Sequence, residues 1–234
     1  MLLHAFQQWF QSGPGSWLLQ FEQEQVNKWL PLVRGASVLQ IGGLPDTFQV
    51  GQQCNQEYYF LTPNISDEKL GKIDIFAGYD ELPFQPNSLN LVLLVHVLEF
   101  VEQPSVVLKE IFDALAPNGK LLLFCFNPWS LWGVYKLFAS KKEFPWSGKF
   151  ISPARLQQWL TAIGYTNIRD KTLCYRAPFV HKPLTRSALF VEALGQIAFP
   201  LLGAVTVLLL EKRIYGFVSQ PQYHWQKQQI LKGS

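Results

Sequence analysis

The chain has 234 residues, 48% of them hydrophobic and 16% charged, which excludes a disordered protein and supplies enough apolar surface for a substantial core without disulfides. Lys and Arg number 20 against 17 Asp and Glu, and a net charge of +3 gives no electrostatic footprint for nucleic acid. Cys54, Cys125 and Cys174 are odd in number and far apart, with no CxxC pair and no histidine pair nearby, so neither a disulfide framework nor a metal site is expected.

From the N-terminus, Leu2 to Phe10 reads as a small amphipathic helix. No Lys or Arg precedes its apolar residues and no small-residue cleavage site follows, so it does not read as a signal peptide and the expected compartment is cytoplasmic. Gly13-Pro14-Gly15 is expected to break this helix, with Ser16 capping a second one from Trp17 to Leu30 that Pro31 stops. Ser37 to Asp46 then forms the stretch that organises the rest. Val38, Leu39 and Ile41 predict a buried strand, and Gly42-Gly43 lets the chain turn sharply and a ligand approach bare backbone. In an α/β protein a nucleotide-like ligand sits at such a turn, although a glycine pair after an apolar run is also an ordinary strand end.

Short strands are expected at Glu57–Leu61 and Lys72–Phe76. Leu89 to Leu98 is a continuous apolar run, as in a central parallel strand covered on both faces. Pro104 opens a helix with Val107, Leu108, Ile111, Phe112 and Leu115 on one side, Pro117-Asn118-Gly119 ends it, and Lys120 to Phe126 is the next buried strand. This βαβ unit predicts a parallel, doubly covered sheet. A helix is expected from Leu131 to about Ala139, another from Ala154 to Ile163, and a strand near Thr166–Lys171.

Residues 188–210 are almost wholly apolar and long enough to span a membrane, but they contain Glu192, Gln196 and a central Pro200. The division at Pro200 favours a helix followed by a buried strand at residues 204–210 over a transmembrane helix.

Four stretches stand in order and at fitting distances: Val38-Leu39-Gln40-Ile41-Gly42-Gly43, Asp80-Glu81-Leu82-Pro83-Phe84, Asn90 to Glu99, and Leu115 to Leu121. Together they resemble a class I S-adenosylmethionine-dependent methyltransferase, and Asn127 to Gly133 with Phe150 to Leu156 is similar to a poorly characterised bacterial branch of such proteins. The resemblance implies a doubly wound, seven-stranded, mostly parallel α/β sheet, a Rossmann-like fold, with an antiparallel last strand inserted beside the fifth and two helices at the N-terminus. It also implies one domain: N-terminal helices over 1–34, a cofactor-binding half over 35–127, an aromatic-rich substrate-side insertion over 128–165, and C-terminal strands and helix over 166–215.

The implied cofactor is S-adenosylmethionine, bound across the carboxyl ends of the first four strands. Gln40, Gly42 and Gly43 would approach the methionine, Thr62 the ribose, and Tyr79, Asp80 and Leu82 the adenine, with Val95 and His96 beneath the methyl group. The chain departs from the family in having Gln40 at a usually acidic position, Leu44-Pro45 at a third glycine, and no carboxylate after the second strand, where Thr62 or Asn64 would replace part of a ribose contact. Asp80 falls two residues after the position of the usual adenine-binding aspartate.

His96 and Asn127 are the candidate catalytic residues, and Asn127, Trp129 and Trp132 the candidates on the substrate side. His96 reads equally as a strand-end histidine bonded to backbone, and Glu99 as a first-turn residue favoured by the helix dipole. Nine aromatic residues between Phe124 and Phe150 suit a greasy acceptor, a lid or a partner surface, and equally the core of an insertion. Lys136, Lys141, Lys142 and Lys149 interleave with them, which suits a peripheral membrane contact. The expected function is methyl transfer to a small, lipophilic acceptor. The alternative is a catalytically inactive binding or partner protein on the same fold; a nicotinamide dehydrogenase is disfavoured because GxGxxG is missing.

Overall fold

The structure is a computed structural model that describes residues 2–33, 35, 37–45, 47–48, 57–63, 73–140, 143–178, 192 and 194–213. Its strands are β1 (Ser37–Gly42), β2 (Glu57–Thr62), β3 (Ile75–Phe76), β4 (Leu89–Val95), β5 (Leu115–Phe126), β6 (Tyr165–Leu173) and β7 (Val205–Lys212). They form one seven-stranded sheet in the order β3-β2-β1-β4-β5-β7-β6. β1 to β5 pair in parallel, and β7 lies antiparallel between β5 and β6. The strand order reverses direction at β1 and β4, which opens a crevice above their carboxyl ends.

Helices α1 (Leu2–Phe10) and α2 (Gly13–Trp29) cover one face, where Phe6, Leu18 and Val26 pack with Leu93, Phe124 and Val207. The other face is covered by α3 (Pro104–Ala114) and α5 (Pro153–Ile163), whose Leu108, Ile111, Leu156 and Leu160 pack with Val92, Leu94 and Leu123. Successive residues of β4 thus serve opposite cores, which is why its sequence is apolar from Leu91 to Val95. The short helix α4 (Leu131–Lys136) follows β5 across the carboxyl edge, with Ser130 as its N-cap.

The apolar run after Pro200 is a strand of the sheet. Val205, Val207 and Leu209 are buried opposite Phe126, Phe124 and Leu122. Residues 194–198 are helical, as Leu194 and Ile197 predict, whereas Ala188 and Leu189 lie outside the described residues. Among the described residues no helix is long and apolar enough to cross a membrane.

Three boundaries differ from expectation. Gly13-Pro14-Gly15 does not separate two helices but begins α2, because Ser12 accepts the N–H of Gly15 as N-cap and proline fits the first turn. The Ser12 N–H also donates to the Trp9 carbonyl at 2.8 Å, and a Cβ on Gly15 would run into that same carbonyl. The α1–α2 elbow is therefore closed on itself. On the other side of the sheet, α3 ends at Ala114 and Leu115 already pairs with Leu89, so Pro117-Asn118-Gly119 is a bulge within β5, with Asn118 left-handed at φ 62°. The third strand is confined to Ile75–Phe76, and Lys72 is outside the described residues.

Candidate functional site

Gly42 and Gly43 adopt φ of 78° and 68°, the left-handed region that costs glycine nothing. A Cβ on Gly42 would strike the Val95 carbonyl and the Val97 side chain, so the turn after β1 lies directly against the end of β4. Gln40 holds that turn from below. Its Nε2 donates to the carbonyls of Gly42 (2.9 Å) and Leu44 (3.0 Å), and its Oε1 accepts from the Tyr58 hydroxyl at 2.7 Å. An amide suits this position because the turn presents two carbonyl oxygens to it; the side chain expected to approach the methionine instead braces the loop.

The crevice has two unlike ends that share Tyr79 as a wall. One is an open cleft of about 390 Å³ lined by Pro63, Gly78, Tyr79, Asp80, Glu102 and Gln103. It lies where the chain leaves β2, β3 and β4. Leu82 is buried beneath this region in the core, and Thr62 is buried at the end of β2 with its carbonyl accepting the Ala77 N–H. At the other end, beside Gly42, the described residues enclose a void of about 10 Å³, bounded by Leu3 and Phe6 of α1 together with Phe60, Leu61, Thr62 and Tyr79. Helix α1 occupies this end with apolar side chains.

Below α1 sits a buried polar cluster. The His96 ring stacks on Phe126 at 4.0 Å and lies between two carboxyl groups, with Nε2 2.7 Å from Glu22 Oε1 and Nδ1 3.2 Å from Glu99 Oε1. Glu99 Oε1 also accepts the Phe126 N–H at 2.6 Å. His96 has φ of 51°, which turns its ring back from the strand end toward α2. Burial pulls its pKa down, but the Glu22 carboxyl and then Glu99 outweigh that and raise it to about 9. At neutral pH the ring is an imidazolium with both N–H groups engaged. Glu22 Oε2 and Glu99 Oε2 are buried without a hydrogen-bond partner. Among the described residues no group of His, Cys, Asp and Glu is arranged to hold a metal ion.

Other expected site residues are placed differently from one another. Val95 is buried at the end of β4. Asn127 is buried with its amide fully engaged: Nδ2 donates to the carbonyls of Leu201 (2.7 Å) and Gly203 (3.0 Å), and Oδ1 accepts the Trp129 N–H at 3.1 Å. It fastens β5 to the chain entering β7 and presents no free polar atom to the crevice. Trp132 is a core residue that donates from Nε1 to the Arg176 carbonyl at 2.7 Å and packs edge-on against Trp9. Trp129 is 67% exposed. The aromatic run expected to surround an acceptor is thus largely interior, with Phe6, Trp9, Phe126, Trp132 and Phe144 in mutual contact.

Glu22 was not among the expected site residues. Its signal was available: Leu18, Glu22, Gln25 and Trp29 fall on one stripe of α2, so a carboxyl group stands in the row that faces the core.

The residues present fit S-adenosylmethionine unequally along the crevice. The positive-φ glycines, where a side chain on Gly42 would fill the turn, and the open cleft with Asp80 and the Tyr79 ring, suit a nucleoside with an extended tail. The closed end admits the tail only when α1 gives way.

Comparison with known proteins agrees with this fold. Residues 61–123 match a family model described as a methyltransferase domain. The uncharacterised protein YafS of Escherichia coli is 26% identical over 145 residues, 61% of this chain and 58% of that protein, so the chain spans less than two thirds of that relative. The uncharacterised protein MJ1123 of Methanocaldococcus jannaschii is 26% identical over 155 residues, 63% of this chain and 72% of its own. Among solved structures, a methyltransferase of Thermotoga maritima described as a possible histamine N-methyltransferase superposes with a TM-score of 0.65 at 18% identity, covering 91% of this chain and all of that one. Geranyl diphosphate C-methyltransferase from Streptomyces coelicolor, solved with S-adenosylhomocysteine, superposes with a TM-score of 0.58 at 10% identity over 82% of this chain and 81% of that one. Residues 61–123 thus match a methyltransferase-domain model, and the sheet has the fold seen in S-adenosylmethionine-dependent methyltransferases.

Proposed function

We propose that the protein is an S-adenosylmethionine-dependent methyltransferase acting on a small, lipophilic acceptor. The observation that carries this reading is a shared wall: Tyr79 lines both the cleft bounded by Gly78–Asp80 and the small void beside Gly42, where the left-handed Gly42-Gly43 turn ends β1. S-adenosylmethionine supplies an electrophilic methyl group to whatever nucleophile meets it in line. In this reading Tyr79 and Asp80 hold the nucleoside end, and Gly42 and Gly43 leave room and backbone donors for the tail. Residues 35–127 are then the cofactor-binding half and 128–165 the acceptor side.

His96 keeps its proton at neutral pH, so it orients the floor of the site and is not a general base. The acceptor atom must therefore be nucleophilic without help, with proximity and exclusion of water supplying the rate. Exclusion of water falls to Phe6, Trp9 and Phe144, which close over Phe126. Those apolar walls favour a greasy acceptor over a polar one.

Calorimetric titration of the full chain with S-adenosylmethionine and S-adenosylhomocysteine tests the reading. Without a carboxylate on the ribose, affinity is weakened by about 1.5–3 kcal/mol, which places both dissociation constants on the order of 10–100 µM. Gly43→Trp puts a bulky side chain at φ 68° beside Val95 and should abolish the signal. If neither compound binds at millimolar concentration, the non-catalytic reading of the fold replaces this one.

A further inference from the structure

Of the fourteen large hydrophobic residues that are exposed among the described residues, ten fall in two short segments, residues 129–138 and 194–202. Phe138 is 84% exposed and Ile197 80%, far beyond the scattered exposure that any surface shows. In α4 the inward residue is Trp132, while Leu131 and Val134 lie on the outer face and Phe138 continues that stripe one turn on. The two segments are one surface. Asn127 joins them, its side chain donating to the Leu201 and Gly203 carbonyls and accepting the Trp129 N–H, and its own N–H donating to the Ala204 carbonyl at 2.8 Å.

Charge is distributed to match. Residues 127–234 carry 14 Lys and Arg against 4 Asp and Glu, whereas residues 1–126 carry 6 against 13, so the small net charge conceals a strongly basic half bearing the apolar surface. Residues 128–142 contain Lys136, Lys141 and Lys142 and no acidic residue; residues 193–210 contain no charged residue at all. A homodimer through this face would bring two basic halves together, and an acidic protein partner would not require so much protruding Leu, Ile, Phe and Trp. Exposed aromatic and aliphatic side chains in a segment whose sequence carries lysines and no carboxylate are the composition that inserts shallowly at the interface of an anionic bilayer.

We propose that the surface formed by residues 129–138 and 194–202 docks the protein on a lipid bilayer containing anionic lipid, with Trp129, Leu131, Phe138, Ile197 and Leu201 entering the interfacial region. The site is independent of the methyl-transfer reading, and its first segment leaves the carboxyl end of β5, since Asn127 is the residue that follows that strand.

The experiment is flotation of the full chain with vesicles of phosphatidylcholine alone and of phosphatidylcholine mixed with phosphatidylglycerol, at low and high salt. The protein should float with the mixed vesicles, lose most of that binding at high salt, and bind the neutral vesicles at least about tenfold more weakly. Phe138→Ser with Leu201→Ser should weaken partition by a further tenfold or more without changing the thermal midpoint, because both side chains are exposed. Ile168→Ser, an exposed apolar residue elsewhere on the sheet edge, should leave partition unchanged. The proposal is overturned if neither vesicle floats the protein, if both float it equally, or if Ile168→Ser weakens binding as much as the double variant. It is also overturned if sedimentation shows a self-associated species that the double variant dissolves, because the face is then covered by a second copy.

Discussion

The two ends of the crevice are built from different parts of the chain, and they differ as their origins do. The end near Asp80 is made by loops leaving adjacent parallel strands and by the first turn of α3, and it stands open at about 390 Å³. The end near Gly42 is roofed by α1, an element outside the sheet, and the described residues leave about 10 Å³ there. Strand-end loops are spaced by the hydrogen-bond ladder and stay apart; an amphipathic helix must bury its apolar stripe and takes the nearest apolar hollow. One end of the site is therefore preformed, and the other exists only in competition with Leu3 and Phe6.

Variants separate the two ends by what they change. The largest effect is expected at the buried cluster. His96→Ala leaves the carboxyl groups of Glu22 and Glu99 buried without their partner and should destabilise the fold by about 3–5 kcal/mol, read from chemical denaturation. Phe6→Ala should cost about 3 kcal/mol in the same assay, yet it should raise affinity for S-adenosylhomocysteine, because it empties the closed end. A loss of affinity in Phe6→Ala would break the comparison. The pH dependence comes next. His96 has a folded-state pKa near 9 against 6.5 when unfolded, so its contribution is fully present below pH 6.5 and is lost as pH rises through about 9. Unfolding midpoints should fall across that window in the native chain and not in His96→Phe. The smallest effect belongs to the open end, where Asp80→Asn should lower cofactor affinity by up to about tenfold and leave stability unchanged, since the carboxylate is exposed.

The same contrast governs what could be read in the residues beforehand. The sheet was legible because residues 91–95 of β4 and 121–126 of β5 are continuous apolar runs with a helix between them, and because Pro200 divides the last apolar segment into a helix and a strand. The glycine turn was legible because only glycine is content at those dihedrals. Asn127 was placed on the correct edge of the sheet, but its partners lie 74 and 76 residues away in sequence, and nothing local announces that its amide will be engaged. Trp129 and Trp132 are three residues apart and look alike in the sequence, yet the helix that starts at Leu131 turns Trp132 into the core, while Trp129 stands before its N-cap in water. Helix α1 was expected with its observed ends, Leu2 and Phe10. Its periodicity showed that one face is buried and could not show against what.

The closed elbow at Ser12 and Gly15 makes α1 and α2 a single lever. Trp9 presents one carbonyl both to the Ser12 N–H and to the position a Gly15 side chain would need, and Pro14 stiffens the first turn of α2. Lifting Phe6 from the crevice therefore pulls on Glu22, which is latched to His96 at 2.7 Å. If α1 and α2 move together in this way, exchange of S-adenosylhomocysteine, followed by stopped-flow, should quicken as pH passes about 9 and the His96 ring loses the charge that holds Glu22.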